Sequence, residues 1–230
     1  MLIKGFQKLT LLDYPGQVAA TIFVGGCNFN CSYCYNTDLV VNSNSMRTIP
    51  EEEIFKELEK RKKMLDGVVI CGGEPTIYSN LREFIEKIKK LGFLVKLDTN
   101  GSNPEMIKKL IDEKLIDYAA MDVKETFKEY NKIANIKVDI EQIKESIMIL
   151  INSEIDYEFR TTIVPGFHDV KKIKEIAGYL VNGKKYYLQL FKAEEKVRDP
   201  KLKNIKAFTK EEVDEMVKVA KEYIKTELRI

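Results

Sequence analysis

Apolar residues follow two alternating patterns along this chain. Short runs rich in β-branched and aromatic residues, typical of buried strands, alternate with segments in which apolar residues recur every three or four positions, typical of one side of a helix. The alternation predicts six βα units wound around a parallel sheet. The predicted strands are 19–24, 67–71, 93–97, 118–121, 157–164 and 186–191.

Polar residues that cap helix N-termini precede the helical segments. Two of these starts have the spacing of a capping box, in which a Thr and a Glu three residues later bond each other's main chain. The last helix is expected to run to about Leu228, and the turn at 13–16 to close a short N-terminal hairpin. The predicted capping residues are Thr48 (with Glu51), Asn80, Asn103, Asp139, Asp169 and Thr209 (with Glu212).

Right-handed crossovers between the six units predict an α/β fold, a partial (β/α)6 barrel to which the hairpin and the C-terminal helix are added. One domain spanning 1–230 accounts for the whole pattern, with its core at about 19–191. In barrels of parallel strands the reactive loops follow the carboxyl ends of the strands. The polar clusters come directly after predicted strands, so we expect them together on one side: 27–34, 72–75, 98–101, 122–124 and 165–166.

Composition and charge narrow the function classes. The net charge is +2 and no long basic run occurs, which gives no support for a nucleic-acid partner. No run approaches the ~18 apolar residues of a membrane span, and the N-terminus lacks the apolar region of a signal peptide. We therefore expect a cytoplasmic protein without a membrane partner, in which clustered cysteines indicate metal rather than disulfides.

The chain has a single histidine, His168. Three-His zinc sites, HExxH proteases and two-His iron sites are excluded because each needs more than one imidazole. We expect His168 to lie on an exposed loop after the strand 157–164. Metal chemistry in this chain must therefore rest on sulfur and oxygen ligands.

Cys27, Cys31 and Cys34 are spaced C-x3-C-x2-C directly after the first strand of the predicted barrel. Three thiolates in one loop can hold one metal centre, but structural zinc and [4Fe–4S] sites usually have four protein ligands. Either the fourth position is open to another ligand, or Cys71 fills it and the loop is a structural zinc knuckle.

The spacing, with the aromatic Tyr33 just before the last cysteine, resembles the radical S-adenosylmethionine (SAM) motif. The resemblance implies that the three cysteines bind three irons of a [4Fe–4S] cluster, and that the amino and carboxylate groups of SAM chelate the fourth. It also implies a six-stranded partial barrel. Cys71 would then be a packed thiol beside the site.

Further motifs fall where this resemblance requires them. The GGEP stretch at 72–75 is similar to the family's GGE motif, whose backbone and glutamate contact the methionine amino group. The DVK stretch at 122–124 resembles the D-[LV]-K of glycyl-radical-enzyme activases, which contacts the amino and carboxylate groups. The resemblance places Arg160 near the carboxylate and the strand that ends at Val164 near the adenine. The implied cofactor contacts are Tyr33, Tyr35, Gly72, Gly73, Glu74, Asp98, Asn100, Asp122, Lys124, Arg160 and Val164, beside the metal ligands Cys27, Cys31 and Cys34.

The resemblance extends over the whole chain, and the opening GFQKLTLLDYPG looks like the branch of activating enzymes assigned to anaerobic ribonucleotide reductase. It implies an oxidoreductase that cleaves SAM reductively and takes a hydrogen atom from a glycine of a partner glycyl-radical enzyme. A flavodoxin- or ferredoxin-type protein would donate the electron. No side-chain acid or base is needed, in keeping with the single histidine.

Two other functions remain open at this point. A radical SAM enzyme of this length could instead act on a small molecule, such as a modified-base precursor. Outside the family, a zinc-binding module without enzymatic activity would also explain the cysteines.

Overall fold

Eight strands form one sheet in which the spatial order of the strands is their order in the chain. The computed structural model describes residues 1–193 and 197–229. β1 and β2 are antiparallel and form the predicted N-terminal hairpin, and every later pair of neighbours is parallel. The strands are β1 (Ile3–Thr10), β2 (Ala19–Val24), β3 (Gly67–Gly72), β4 (Leu94–Thr99), β5 (Tyr118–Asp122), β6 (Asp156–Ile163), β7 (Tyr186–Leu190) and β8 (Thr226–Arg229).

Helices connect the parallel strands, as right-handed βα units require. The predicted caps at Asn103, Asp139 and Asp169 are present, each side chain accepting a main-chain N–H in the first turn. Thr209 and Glu212 form the predicted capping box. The helices are α1 (Thr37–Val41), α2 (Glu51–Lys60), α3 (Leu81–Lys90), α4 (Pro104–Asp112), α5 (Tyr130–Ala134), α6 (Ile140–Ile151), α7 (Val170–Tyr179) and α8 (Lys210–Lys221), with 3-10 turns at Pro75–Ile77 and Pro200–Leu202.

At two predicted helix starts the expected side-chain cap does not form. α2 begins after Pro50 without a side-chain cap, because the Thr48 hydroxyl instead accepts a hydrogen bond from Lys4 Nζ at 2.8 Å. Asn80 precedes α3, but its side chain makes no capping bond. The short helices α1 and α5 were not predicted, since five residues are too few to show a helical period.

The prediction that the last helix runs to about Leu228 is wrong. α8 ends at Lys221, and the chain then adds β8 to the sheet, parallel to β7. A charged contact holds this strand, since Arg229 donates from both terminal nitrogens to the buried Glu158 at 2.8 and 3.1 Å. The sheet therefore has the six strands of the predicted barrel and one more at each edge, and it does not close.

The two faces of the sheet carry different side chains because neighbouring residues of a strand point to opposite faces. Val68 and Ile70 face outward and pack with the helices in the main hydrophobic core. Val69 faces inward, where it packs with Tyr14 and Tyr118 at the amino ends of the strands. Strand register places charged residues on the same inner face, with Lys96 level with Val69 and Tyr118 and the others nearer the carboxyl ends: Asp98, Asp122, Glu158 and Arg160.

Within residues 1–193 and 197–229, no helix has both the length and the apolar character needed to cross a bilayer.

Candidate active site

A cavity of about 250 Å³ lies above the charged layer, at the carboxyl ends of β2 to β6. The carboxyl-terminal halves of these strands and the segments that follow them supply the lining except for Arg198, as expected for parallel strands that end at the same side. Val164 does not line it. The predicted site residues that the fold brings together here are Cys27, Cys31, Tyr33, Cys34, Tyr35, Gly72, Gly73, Glu74, Asp98, Asn100, Asp122, Lys124 and Arg160.

The loop that carries the three cysteines is pressed against the loop after β3. Gly73 donates to the Val24 carbonyl at 2.8 Å, and the next main-chain N–H donates to the Gly26 carbonyl at 2.9 Å. A Cβ atom on Gly73 would lie 1.7 Å from that Gly26 oxygen, and Gly72 has φ +115°. Only glycine permits this close approach of the two main chains, so Gly72 and Gly73 are required for the cysteine loop to pack against the loop after β3.

The three thiols are shielded from water. Cys31 is buried, whereas Cys27 and Cys34 are half-buried. Burial raises the pKa of the Cys27 thiol to about 12, and it also raises the pKa values of Cys31 and Cys34. The thiols are therefore protonated on their own at neutral pH, and binding a metal centre would have to release their protons.

The arrangement of the thiols fits a cluster better than a single ion. In the described part of the chain, no three Cys, His, Asp or Glu side chains converge where one metal ion could bind. A [4Fe–4S] cluster takes each cysteine on a different iron, so its ligands surround a body wider than one ion. Cys27, Cys31 and Cys34, on one loop that lines the cavity, suit that geometry and would leave one iron without a ligand from this loop.

The Glu74 carboxylate is buried and engaged by protein donors. It accepts hydrogen bonds from the Thr76 hydroxyl and main-chain N–H, at 2.6 and 3.1 Å. The Thr99 hydroxyl and the Asn100 N–H donate at 2.7 and 2.6 Å. Burial raises the pKa of Glu74, and these donors act in the opposite direction. The carboxylate ties β3 to β4, with three of these bonds on Oε1 and one on Oε2. Its contact with a ligand amino group, implied by the GGE motif, stays a prediction.

An ion network connects the predicted residues at the ends of β4, β5 and β6. Arg160 donates to Asp122 at 2.8 Å and to Asp98 at 2.9 Å. Asp98 also pairs with the buried Lys96, and Asp122 with Lys124 at 3.2 Å. Burial alone would raise the pKa of Asp122, but Arg160 and Lys124 outweigh it and lower that pKa to about 2. Arg160 thus lies between two carboxylates of the protein, which it contacts through Nε and Nη1. Its contact with a ligand carboxylate stays a prediction.

The two tyrosines beside Cys34 have different environments. Tyr33 is buried, and the Lys124 ammonium lies 3.4 Å from its hydroxyl and 5.8 Å from its ring centre. Tyr35 stacks on Phe191 with ring centres 5.7 Å apart, and its hydroxyl accepts the Lys192 N–H at 2.6 Å. Tyr35 therefore connects the cysteine loop to the segment after β7.

The expectation of an exposed His168 is wrong, since the side chain is only 4% exposed. Its Nδ1 accepts the main-chain N–H of Val164, and its Nε2 lies against the Lys124 carbonyl. Val164 is itself fully buried, so this strand end supports the site from outside the cavity. Cys71 lines the cavity and packs against the inner apolar group, as expected of a packed thiol.

Several cavity residues carry no motif and were not predicted. Asn36 donates from Nδ2 to the Gly72 carbonyl at 3.0 Å, and its only sequence signal is its position just after the cysteines. Arg198 comes from the connection between β7 and α8, which shows no periodic pattern. The lining residues that were not predicted are Phe29, Asn36, Val40, Thr99, Thr162 and Arg198.

Comparison with known proteins identifies the family. Residues 21–180 match the model of the radical SAM superfamily, more than half of the chain. The chain belongs to the radical SAM superfamily. The cofactors of this family are a [4Fe–4S] cluster and SAM, and the three cysteines with their open fourth position fit that pair.

Two relatives indicate different branches of the radical SAM superfamily. A protein of Methanocaldococcus jannaschii that carries the provisional name glycyl-radical enzyme activating enzyme is 36% identical over 228 residues, covering 97% of this chain and 93% of that protein. The 7-carboxy-7-deazaguanine synthase of Methanopyrus kandleri is 32% identical over 132 residues, covering 48% of this chain and 51% of that enzyme.

A solved structure supports the fold alone. Streptococcus suis SuiB, crystallised with SAM, has a TM-score of 0.65 to this chain at 13% identity, with 91% of this chain covered. The chain spans about half the length of SuiB, 52%.

Proposed function

We propose that this radical SAM enzyme activates a glycyl-radical enzyme, by removing a hydrogen atom from the Cα of a glycine in that partner protein. The observation that carries the proposal is the similarity to the M. jannaschii protein, which runs over 97% of this chain and 93% of that one. A match of that extent covers nearly the whole chain and not the barrel alone. The shorter match to the deazaguanine synthase covers about half of each chain.

In this proposal Cys27, Cys31 and Cys34 hold the cluster and leave one iron for SAM. When bound, the two cofactors supply a 5′-deoxyadenosyl radical through one-electron reductive cleavage of a carbon–sulfur bond of SAM, with methionine as the other product. The residues of this chain then have to position the cofactors and exclude water. Each carboxylate among the described lining residues is already paired with a cation or with hydrogen-bond donors, so none is poised as a general acid or base.

The partner glycine must enter the cavity from outside the sheet. β1 and β8 are edge strands that do not pair with each other, and the cavity opens at the carboxyl ends of the strands. We infer that the partner inserts a loop there and that anaerobic ribonucleotide reductase is the first candidate partner. The electron would come from a flavodoxin- or ferredoxin-type donor.

A second candidate function is radical chemistry on a small molecule. The similarity to 7-carboxy-7-deazaguanine synthase, at 32% identity, favours it, because it covers half of that enzyme. A modified-base precursor would be the substrate class in that case.

The deciding experiment uses anaerobically reconstituted enzyme, dithionite, SAM and a glycyl-radical enzyme from the same organism whose glycines carry deuterium. We expect a glycyl-radical EPR signal on the partner and deuterium in the 5′-deoxyadenosine formed. The variant Cys31→Ala, assembled in the same way, should give neither. Formation of unlabelled 5′-deoxyadenosine without a protein radical would reject the activase function and favour a small-molecule substrate.

A further inference from the structure

Two described parts of the connection between β7 and α8 are fixed to the cysteine loop. On the β7 side, Lys192 N–H donates to the Tyr35 hydroxyl at 2.6 Å, and Phe191 stacks on the Tyr35 ring. On the α8 side, Asp199 N–H donates to the Ser32 carbonyl at 2.9 Å. The main chain next to Asp199 is therefore held at the wall of the cavity.

Arg198 lies next to that second anchor and its side chain lines the cavity. Its neighbour Val197 is 3% exposed, so the chain at this point is packed against the rest of the protein. The Nη1 atom of Arg198 is buried, and no residue of the described chain accepts a hydrogen bond from it. A buried guanidinium nitrogen without an acceptor is unfavourable, so the site is built for an acceptor that a ligand brings.

The other cations that line the cavity already have carboxylate partners. Arg160 is held by Asp98 and Asp122, and Lys124 pairs with Asp122. Arg198, by contrast, makes no ion pair with a carboxylate of residues 1–193 and 197–229. Of the three lining cations, it is therefore the one that the described carboxylates leave for a ligand carboxylate.

The position of Arg198 relative to the cysteines identifies the carboxylate. The next residue, Asp199, donates its main-chain N–H at 2.9 Å to the carbonyl of Ser32, which directly follows Cys31. Arg198 thus lines the end of the cavity where the cysteines would hold the cluster. The methionine part of SAM, bound beside that cluster, would bring its carboxylate to the same end.

We propose that Arg198 binds the carboxylate of the methionine part of SAM, in place of Arg160, and so selects SAM over analogues without that group. Guanidinium groups suit this task because their paired N–H donors match the two oxygens of a carboxylate. The proposal depends on the cofactor of the superfamily and not on the identity of the substrate.

The test measures binding rather than turnover. The Kd values of SAM and of decarboxylated SAM are determined by equilibrium dialysis on the unreduced, cluster-loaded enzyme, without any partner protein. For Arg198→Gln we expect SAM to bind about tenfold to a hundredfold more weakly, the range for losing one charge-assisted hydrogen bond. Decarboxylated SAM should bind the wild type and this variant equally well, because it has no carboxylate to lose.

Two further variants make the outcome specific. Lys201→Gln removes an exposed positive charge from the same connection and should leave both Kd values unchanged. Arg198→Lys keeps the charge but not the paired donors, so its affinity for SAM should lie between those of the wild type and Arg198→Gln. If Arg198→Gln holds less iron than the wild type, Arg198→Lys is measured in its place. An unchanged Kd for SAM, or equal weakening of SAM and decarboxylated SAM, would overturn the assignment. Either result leaves the activase proposal intact, because no glycyl radical is measured.

Discussion

His168 Nε2 lies 2.9 Å from the main-chain oxygen of Lys124, a residue 44 positions earlier in the chain. The other ring nitrogen, Nδ1, accepts the N–H of Val164 at 2.9 Å. A ring that accepts at Nδ1 and is neutral carries its proton on Nε2, which then donates to Lys124. The imidazole thus joins the end of β6 to the loop that brings Lys124 into the cavity.

We predict that the free energy of unfolding of the metal-free chain falls as the pH is lowered from about 7.5 to about 5.5. Burial lowers the pKa of His168, and the nearby Glu125 opposes part of that shift. As the pH falls through the ordinary histidine pKa, His168 therefore takes up a proton in the unfolded chain but not in the folded chain. Protonation favours the unfolded chain, so the free energy of unfolding falls below that pKa. Denaturant unfolding at the two pH values measures the change.

His168→Asn provides the control for that dependence. The chain has one histidine, so the variant should lose most of the change in stability between these pH values. At the higher pH it should also be less stable by about 1–3 kcal/mol, because buried hydrogen-bonding groups lose their partner. A wild-type stability that is flat over this range would contradict the prediction.

Glu74→Gln should destabilise the chain by about 1–3 kcal/mol, because the amide NH₂ would face groups that are themselves donors. The four hydrogen bonds to Glu74 come from Thr76, Thr99 and Asn100. Urea unfolding measures the loss, with the exposed Glu154→Gln as the control, expected within about 0.5 kcal/mol of the wild type. Unchanged stability of Glu74→Gln would contradict this role of the carboxylate.

Arg160→Gln should cost about 3–5 kcal/mol of stability, since it leaves the buried carboxylates of Asp98 and Asp122 without their shared cation. Arg82→Gln is the matched control: Arg82 pairs with Glu113 at 2.6 Å, but at the surface, where solvent screens the pair and its loss should change stability little. Comparison of the two urea midpoints tests the difference. Equal small losses would mean that the buried network adds little to stability.

Replacing Cys27, Cys31 or Cys34 singly by Ser should reduce the iron and sulfide content of anaerobically reconstituted protein, because each thiol is predicted to hold one iron. Cys71→Ser should retain both at the wild-type level, since that thiol packs against the inner apolar group. Iron and sulfide assays on the four variants decide the ligand set. Loss of metal in Cys71→Ser would identify four protein ligands and a closed site.

The strands of the barrel could be predicted because they are short runs rich in β-branched and aromatic residues. β2 spans the predicted run Ala19–Val24 residue for residue. β8 could not be predicted, since Val217, Ala220, Ile224 and Leu228 continue the three- and four-residue spacing of α8 past its true end. What turns the chain into a strand is pairing with β7 and the Arg229–Glu158 contact, and a local pattern contains neither.

The cavity could be predicted where a motif ends a strand, because parallel strands deliver their carboxyl ends to one side. The ion pairs that those residues form with one another could not be predicted from the sequence. Asp122 and Arg160 are partners in the β5–β6 register, so they neutralise each other before any ligand arrives. Arg198 is brought in by an irregular connection, and the burial of His168 depends on packing between two loops far apart in sequence.

The strands of the sheet follow one another in the order in which a ribosome makes them. Each new strand can pair with its predecessor as it emerges, so the sheet can grow from its amino end during translation. The three cysteines lie within the first 34 residues, whereas Phe191 and Arg198 belong to the last quarter of the chain. A nascent chain therefore exposes its thiols to oxygen and stray metal ions until synthesis is nearly complete. During the same interval the thiols are accessible for insertion of the cluster.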